Sequence, residues 1–311
     1  MKNKYPLMTW GWILLITVFT LGCLKERTET PTKGYLQVVA SEAIQPMLKE
    51  QESRFEELYV NAKIDIQYTT AREAVTRIFN DTIKMIVTSR PLNKEEREVA
   101  KRTNLQLAEY KIAVDGIAII VNQQNRVSQL RTTQLDSIYR GLITNWGDLG
   151  SDKSEIEICL PDRNTGTFEV IGLKILAGRT FTQPVKVVST SSEMIEFVSN
   201  RSGGIGMVSI DWLRSKNENI KILELSDPNA PDSLDISGQY FTPHQAHVYR
   251  GYYPLTSEIY IYSKADMYSV AAGFITFIAS VPGQKIVLDN GLVPATMPVR
   301  LVELTNRSLP Q

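Results

Sequence analysis

Pro161-Asp162-Arg163-Asn164-Thr165-Gly166-Thr167-Phe168 separates the mainly apolar run Ile156 to Leu160 from a helical pattern that continues to Leu176. A strand that leads through a short polar turn into a helix presents unpaired backbone N–H groups and the positive end of the helix dipole. Two hydroxyl groups and a guanidinium accompany them in this turn. The pattern indicates an oxyanion site in outline, although Thr-Gly-Thr before a helix also occurs as a plain cap and turn.

The composition favours a globular chain with a sizeable core and two lobes, because it has 311 residues of which 43% are hydrophobic and 22% charged. The 34 basic side chains are balanced by 34 acidic ones, and the first 22 residues carry two of the lysines and no acid. Affinity for phosphate backbones requires a basic surface. The sequence therefore predicts no nucleic-acid partner.

The N-terminus has the pattern of a signal peptide over residues 1–22. Lys2 and Lys4 precede the apolar run Met8 to Leu21, and Gly22-Cys23 follows. This order resembles a bacterial lipoprotein signal, which implies cleavage before Cys23 and a lipid on its thiol. The alternative is an uncleaved anchor with an unmodified cysteine.

The segment 23–34 is polar and is predicted to be a flexible tether between the membrane and a body outside the cytoplasm. The only other cysteine, Cys159, lies in an apolar run and is predicted to be a small core residue. With Cys23 lipidated, no intramolecular disulfide is possible. We expect no cofactor and no cysteine-rich metal site.

Strands and helices are predicted to alternate from Tyr35 to Asn122, the order typical of an α/β domain with a mostly parallel sheet. Ligands of such sheets bind beyond the carboxyl ends of the strands, near helix N-termini. Ser41, Ser89 and Arg90 occupy positions of this kind, as do Thr165 and Thr167. The turns that carry these residues strengthen the oxyanion interpretation.

Several later segments together resemble one known family, the phosphate-binding proteins of bacterial ABC uptake systems. The resemblance begins with a helix and tryptophan turn over 134–150 and runs from about Tyr35 to Leu304. Its further motifs are Ala113-Val114-Asp115-Gly116-Ile117-Ala118, Gly204-Ile205-Gly206-Met207-Val208, Tyr253-Pro254-Leu255-Thr256, Phe274-Ile275-Thr276-Phe277-Ile278 and Pro282-Gly283-Gln284-Lys285.

The resemblance implies a two-lobed periplasmic binding protein of type II, an α/β fold in which two mixed-sheet lobes are joined by two crossovers. Lobe 1 would comprise residues 35–114 and 250–311, and lobe 2 residues 115–249. A cleft between the lobes would close on phosphate or a related oxyanion. A membrane permease of an ABC transporter would then read the closed form.

The family holds phosphate with hydroxyls, backbone N–H groups and an arginine. By resemblance these contributions fall on Ser41, Ser89, Arg163, Thr165, Gly166 and Thr167. The turn position of Arg90 adds it to the predicted ligand-binding residues. Three departures argue against phosphate. Glu42 directly follows Ser41, Arg90 stands where the family often has an aspartate, and Asp162 adjoins an Arg163 that is unusually close to Thr165.

Two other functional classes remain open from the sequence. An enzyme is disfavoured because His244 and His247 are the only histidines and no nucleophile elbow or phosphate-binding loop motif occurs. The pair His244-x-x-His247 is a weak metal signal without further ligands. A surface lipoprotein that has kept the fold but binds another ligand or a protein partner is the main alternative.

Overall fold

The structure is a computed structural model that describes residues 29–181, 184–214 and 217–296. The predicted signal peptide 1–22, Cys23 and the first part of the predicted tether lie outside the described residues. Lobe 1 and lobe 2 below denote the described parts of the ranges predicted above. Their exact boundaries remain predictions.

Lobe 1 alternates strands with helices that bury one face. Helix α2 (Ala71–Phe79) shows why: its buried residues recur at helical spacing, and the Thr70 side chain caps its first turn by accepting from the Glu73 N–H. Asn93 and Glu96 form a capping box at the start of α3 (Lys94–Arg102). The elements are β1 (Lys33–Ser41), α1 (Gln45–Leu58), β2 (Asn61–Thr69), α2 (Ala71–Phe79), β3 (Met85–Thr88), α3 (Lys94–Arg102) and the first half of β4 (Ala108–Asn122).

Lobe 2 continues the alternation with shorter elements. These are the second half of β4, β5 (Gln129–Arg131), α4 (Thr132–Tyr139), β6 (Glu157–Pro161), α5 (Gly166–Lys174), β7 (Lys186–Val188), α6 (Ser191–Ser199), β8 (Gly204–Ser209), β9 (Ile220–Ile222), β10 (Glu224–Ser226) and α7 (Gln245–Tyr249). The chain then returns to lobe 1 with β11 (Thr256–Ser263), α8 (Val270–Ala279), α9 (Val281–Asp289) and β12 (Val293–Pro294).

Ten strands form one mixed sheet in the order β2-β1-β3-β11-β4-β8-β6-β7, with β9 and β12 also paired to β4. Strands β2, β1 and β3 are parallel, as are β8, β6 and β7, whereas β4 and β11 run antiparallel to their neighbours. In both parallel groups, a helix that follows a strand begins near the carboxyl end of that strand.

Strand β4 passes from one lobe to the other. Its first half pairs with β11 and its second half with β8, and the change falls between Asp115, opposite Ser257, and Ile117, opposite Ser209. The strand runs through Asp115-Gly116 without a break, next to the predicted boundary between residues 114 and 115. Glycine is required there by close packing, because an added Cβ on Gly116 would lie 2.9 Å from the Pro243 Cβ.

Each lobe has its own large hydrophobic cluster. The lobe 2 cluster surrounds Trp146, which is fully buried and donates its ring N–H to the Gly203 carbonyl at 2.9 Å. In lobe 1, Phe55 packs edge-on against Phe274 and Phe277. The predicted core positions of Trp146 and Cys159 are confirmed by their burial.

Within the described ranges, no single helix is long and apolar enough to span a bilayer. Helices α8 and α9 reach the required length and apolarity only as a pair, and they are bent by 63° relative to each other. Much of α8 is buried in the core of lobe 1.

Candidate functional site

The turns after β1 and β3 are joined by a buried hydrogen bond. The Ser89 N–H donates to the Ser41 hydroxyl at 3.1 Å, and both residues are 2% exposed. The sequence leaves open that Ser41 only caps the following helical turn, but its side chain makes no capping hydrogen bond there. Ser41 instead fixes the position of Ser89, with its own hydroxyl hydrogen left to donate.

Ser89 meets the start of α5 from the opposite lobe. A Cβ added to Gly166 would lie 2.5 Å from the Ser89 hydroxyl oxygen and 2.8 Å from the Ser89 carbonyl oxygen. The Ser89 carbonyl accepts from the Ser257 hydroxyl. Among the described residues, the buried Ser89 hydroxyl has no hydrogen-bond partner. A buried hydroxyl without a partner is costly, so its place beside a helix N-terminus suggests that a ligand completes it.

The start of α5 is formed by the polar turn from Pro161 to Phe168. Thr165 is the N-cap, and its hydroxyl accepts from the Phe168 N–H at 3.2 Å while donating to the Asp162 carbonyl at 2.7 Å. Gly166 and Thr167 are buried in the first turn. Their N–H groups are among those that a helix leaves without an internal partner. The turn therefore offers backbone donors and the Thr167 side chain to the cleft.

Asp162 does not oppose an anion in this arrangement. Its carboxylate accepts from the Asn164 N–H at 2.8 Å and so stabilises the turn itself. Arg163 is exposed, in contrast with the buried first turn of α5. The structure thus brings Ser41, Ser89, Gly166 and Thr167 together and leaves Arg163 on the surface.

Arg90 lies between two carboxylates rather than open to the cleft. It is 4% exposed, and it donates in a fork to Glu96, with both nitrogen-to-oxygen distances at 2.7 Å. Its Nε lies 2.9 Å from the Glu169 carboxylate, which belongs to the first turn of α5. That pair is close without the alignment of a hydrogen bond. Arg90 is predicted to be a ligand-binding residue, whereas in the structure its guanidinium is paired with carboxylates of both lobes.

The pKa shifts agree that Glu96 is the stronger partner of Arg90. Burial alone would raise the pKa of Glu96, but the hydrogen bonds from Arg90 and from the Asn93 N–H hold it below its ordinary value. Burial raises the pKa of Glu169, and the charge of Arg90 offsets this only in part. Arg90 therefore serves as an ionic bridge across the cleft in this structure.

Glu42, one of the departures that argue against phosphate, binds another part of the protein. Its carboxylate accepts from the Ser191 N–H at 2.8 Å and from the Ser191 hydroxyl at 2.9 Å. Ser191 begins α6 of lobe 2, so a lobe 1 side chain fills a lobe 2 helix start. Burial raises the pKa of Glu42, and the two hydrogen bonds from Ser191 act in the opposite direction.

A pair of buried acids lies where the crossover strands meet. Asp115 of β4 is fully buried and accepts from the Ile210 N–H at 3.3 Å, and Asp211 accepts from the Met47 N–H of lobe 1 at 3.4 Å. Burial raises the pKa of Asp115 to about 7. It raises the pKa of Asp211 as well, to which the charge of Asp115 adds. The hinge region thus favours protonated carboxyl groups.

Sequence reasoning misses Glu169, Ser191 and Ser257 because each contributes through the opposite lobe or a distant strand. The only available signal is indirect: Ser189-Thr190-Ser191 follows a short strand and precedes a helix, the same polar turn pattern as the one before α5. Neither histidine belongs to the cleft. His244 caps α7 by accepting from the Ala246 N–H at 3.2 Å.

The comparisons with known proteins agree with this architecture. A family model described as the PBP superfamily domain matches residues 25–281. The phosphate-binding protein PstS of Pseudomonas aeruginosa is 24% identical over 297 residues, which cover 89% of this chain and 87% of that protein. PstS of Staphylococcus aureus strain MRSA252 is 23% identical over 270 residues, which cover 85% and 79% respectively.

Solved structures show the same fold. A Clostridium perfringens substrate-binding protein, assigned to a phosphate ABC transporter and containing bound phosphate, superposes with a TM-score of 0.73 at 21% identity, covering 84% of this chain and all of that one. An ABC-type phosphate transport receptor from Vibrio cholerae gives 0.62 at the same identity and coverage of this chain. The predicted two-lobed α/β fold class is confirmed, and the chain belongs to the PBP, or periplasmic binding protein, superfamily.

Proposed function

We propose that the protein is an extracytoplasmic solute-binding lipoprotein that captures phosphate, or a related oxyanion, in the cleft between its lobes for an ABC transporter. The observation that carries the proposal is the Ser89 hydroxyl, which is buried beside Gly166 at the start of α5 and has no hydrogen-bond partner among the residues that the structure describes. The relatives named phosphate-binding protein and the related structure with bound phosphate support the choice of ligand.

The donors available at this place suit a tetrahedral oxyanion. Ser41 and Ser89 offer hydroxyl groups from lobe 1, and Gly166 and Thr167 offer N–H groups and a hydroxyl from lobe 2. Short strong hydrogen bonds to anionic oxygen and the positive end of the α5 dipole would offset the loss of hydration. Thr165 contributes through the turn, because its hydroxyl is already used in capping.

The same arrangement favours binding over catalysis. The compared proteins carry names of binding proteins and transport receptors. In the cleft, no histidine is placed to act as a general base, since the ring of His244 caps α7 and that of His247 packs against Phe241 at 5.0 Å. Incubation with a chromogenic phosphate ester tests this directly, and we expect no hydrolysis.

Calorimetry on ligand-stripped protein tests the proposed ligand and the proposed site together. We expect phosphate to bind tightly, and Thr167→Val to weaken binding roughly 5- to 150-fold, because valine keeps the shape but leaves a ligand oxygen unpaired, at a cost of about 1–3 kcal/mol. Thr276→Val is the matched control, because that hydroxyl donates to the Ala272 carbonyl on an exposed face of α8. Absence of phosphate binding at millimolar concentration would refute the ligand, and an unchanged Thr167 variant would refute the site.

One observation favours the alternative, a surface lipoprotein without phosphate specificity. The Arg90 guanidinium is already bonded to Glu96 and paired with Glu169, so it brings no net positive charge. A thermal-shift panel of phosphate, arsenate and sulfate distinguishes the two, because a tight ligand raises the melting temperature by mass action. If none of the three raises it, the alternative is favoured.

Membrane attachment and the transporter partner are part of the proposal. Cys23 would carry the lipid and place the body on the outer side of a membrane, beside an ABC permease. Changing Cys23 to serine is expected to leave the protein uncleaved and without acyl chains. Mature protein that still partitions into detergent and carries acyl chains after this change would contradict the anchor.

A further inference from the structure

The contact between Glu42 and Ser191 links the two lobes through two hydrogen bonds. Ser191 follows β7, which is the edge strand of the sheet and is separated from β4 by β8 and β6. Its partner follows β1, on the other side of β4. Since Glu42 lies in lobe 1 and Ser191 in lobe 2, their hydrogen bonds must separate when the lobes hinge apart.

Other contacts between the lobes in this region lie nearer the crossover. The Trp212 ring N–H donates to the Ala43 carbonyl at 3.0 Å, and the Met47 N–H donates to Asp211 at 3.4 Å. Asp211 and Trp212 belong to the 3₁₀ helix Ile210–Leu213 that directly follows β8, the strand paired with β4. These contacts hold residues 43–47 against the segment that follows β8, whereas Glu42 holds the start of α6.

The carboxylate of Glu42 is well suited to hold a helix start. It accepts from both donors of Ser191, at 2.8 and 2.9 Å, and it lies at the positive end of the α6 dipole. The position that an external anion could take at α6 is therefore occupied by the protein itself. No ligand is needed to make these two hydrogen bonds.

We propose that Glu42 is a positioning residue of the cleft, whose carboxylate binds the start of α6 and holds the two lobes closed before a ligand enters. It acts on ligand affinity through lobe closure and not by touching the ligand. A protein that is already closed binds with an affinity close to its intrinsic value, whereas one that is mostly open loses affinity in proportion to its closed fraction. The second half of this proposal rests on phosphate being the ligand.

Small-angle scattering on stripped protein tests lobe closure without any ligand. We expect stripped wild type to match the phosphate-saturated protein, and stripped Glu42→Ala to have a larger radius of gyration. Glu42→Gln keeps one acceptor oxygen and should restore part of the closure. Glu193→Ala is the matched control, because that exposed carboxylate caps the same helix within lobe 2 by accepting from the Ser189 N–H at 2.8 Å. A stripped Glu42→Ala protein as compact as wild type, or a stripped wild type as open as the variant, overturns the proposal.

Phosphate affinity distinguishes a positioning role of Glu42 from a simple effect of its negative charge on a bound anion. Removing a negative charge near an anion should by itself tighten binding. Loss of closure should instead weaken it, and we expect roughly 10-fold weaker binding in Glu42→Ala if its closed fraction falls to about a tenth. Tighter binding in this variant would overturn the proposal. If the stripped variant opens and saturating phosphate does not close it, the positioning role stands while phosphate capture fails.

Discussion

Helices α5 and α6 start in the same way and have different occupants. Each follows a strand of lobe 2, and the two strands, β6 and β7, are parallel neighbours. Each is capped by a threonine hydroxyl that accepts an N–H three residues on, at 3.2 Å in both cases. Yet the start of α6 holds the Glu42 carboxylate, while the start of α5 faces the Ser89 hydroxyl, for which the described part of the chain offers no hydrogen-bond partner.

The difference shows that the cap alone does not make a binding site. Both helix starts offer the same N–H groups and the same end of a dipole. The opposite lobe decides what each start does, because it supplies a carboxylate to one and a hydroxyl to the other. The predictions below test this division of roles, in order of decreasing expected effect.

The largest effect is expected for Arg90→Met, which removes the cation that ties the first turn of α5 to lobe 1. Breaking a buried ion pair leaves uncompensated charge, here on Glu96 and Glu169, and should lower the free energy of unfolding by about 3–5 kcal/mol. The control is Arg97→Met, because Arg97 makes a similar forked pair with Glu109 at the exposed surface and should cost only about 0–1 kcal/mol.

Denaturant unfolding measures both variants. If Arg90→Met is as stable as wild type but no longer binds phosphate, Arg90 is a ligand-binding residue, as its turn position predicts. A large loss of stability in this variant alone would support the structural bridge seen here.

Gly166→Ala is expected to act on α5 next most strongly. The added Cβ would meet Ser89, whose N–H and carbonyl are both held by serine hydroxyls and whose backbone therefore cannot move away easily. Overpacking of this kind costs about 1–3 kcal/mol, which would weaken phosphate binding roughly 5- to 150-fold by opposing closure. Gly172→Ala on the same helix is the control, since its Cβ would meet nothing within 4 Å. Calorimetry on both stripped variants gives the ratio, and equal affinities would contradict the close approach.

Most of the fold could be predicted from the sequence because its signals are local. Strands and helices alternate from Tyr35 to Asn122 as predicted, and the turns at Ser41, Ser89 and Thr165 each follow a strand. Apolar periodicity and caps depend on residues a few positions apart, which a single sequence displays directly. The sequence does not show why position 116 needs glycine, because Gly116 packs against Pro243, more than a hundred residues later in the chain.

The site was less predictable for the same physical reason. Ser41, Ser89, Gly166 and Thr167 stand at recognisable strand-to-helix turns, so the sequence identifies them as candidates. The state of Arg90 depends on Glu169 of the other lobe, and that of Glu42 depends on Ser191. Such pairings cross the cleft and leave no periodicity in the sequence.

Ser191→Ala should affect α6 modestly, because it removes one of the two donors to Glu42 and leaves the N–H in place. A net loss of about 0.5–1.5 kcal/mol for one hydrogen bond corresponds to roughly 2- to 13-fold weaker phosphate binding through a smaller closed fraction. Ser192→Ala, the next and exposed residue of the helix, is the control. If the two variants bind equally well, the Ser191 hydroxyl contributes nothing to closure.

The smallest effect concerns pH. The Glu42 carboxylate at the start of α6 titrates, whereas the Ser89 hydroxyl at the start of α5 does not. Burial raises the pKa of Glu42 above its ordinary value of 4.5, although the Ser191 donors act against this. Between pH 4.5 and the raised pKa of Glu42 in the folded protein, the folded protein binds more protons than the unfolded chain. The charge on this carboxylate therefore lowers stability as pH rises through that window. Below pH 4.5 both states are protonated and the contribution disappears. Glu42→Gln removes it, so the stability of the variant relative to wild type should increase with pH from about 4.5 upwards and then level off. Urea unfolding of the stripped proteins across this range measures the difference, to which the Glu42 charge also contributes by raising the pKa of Asp211. A constant difference would mean that the two hydrogen bonds from Ser191 fully offset the cost of burying the charge.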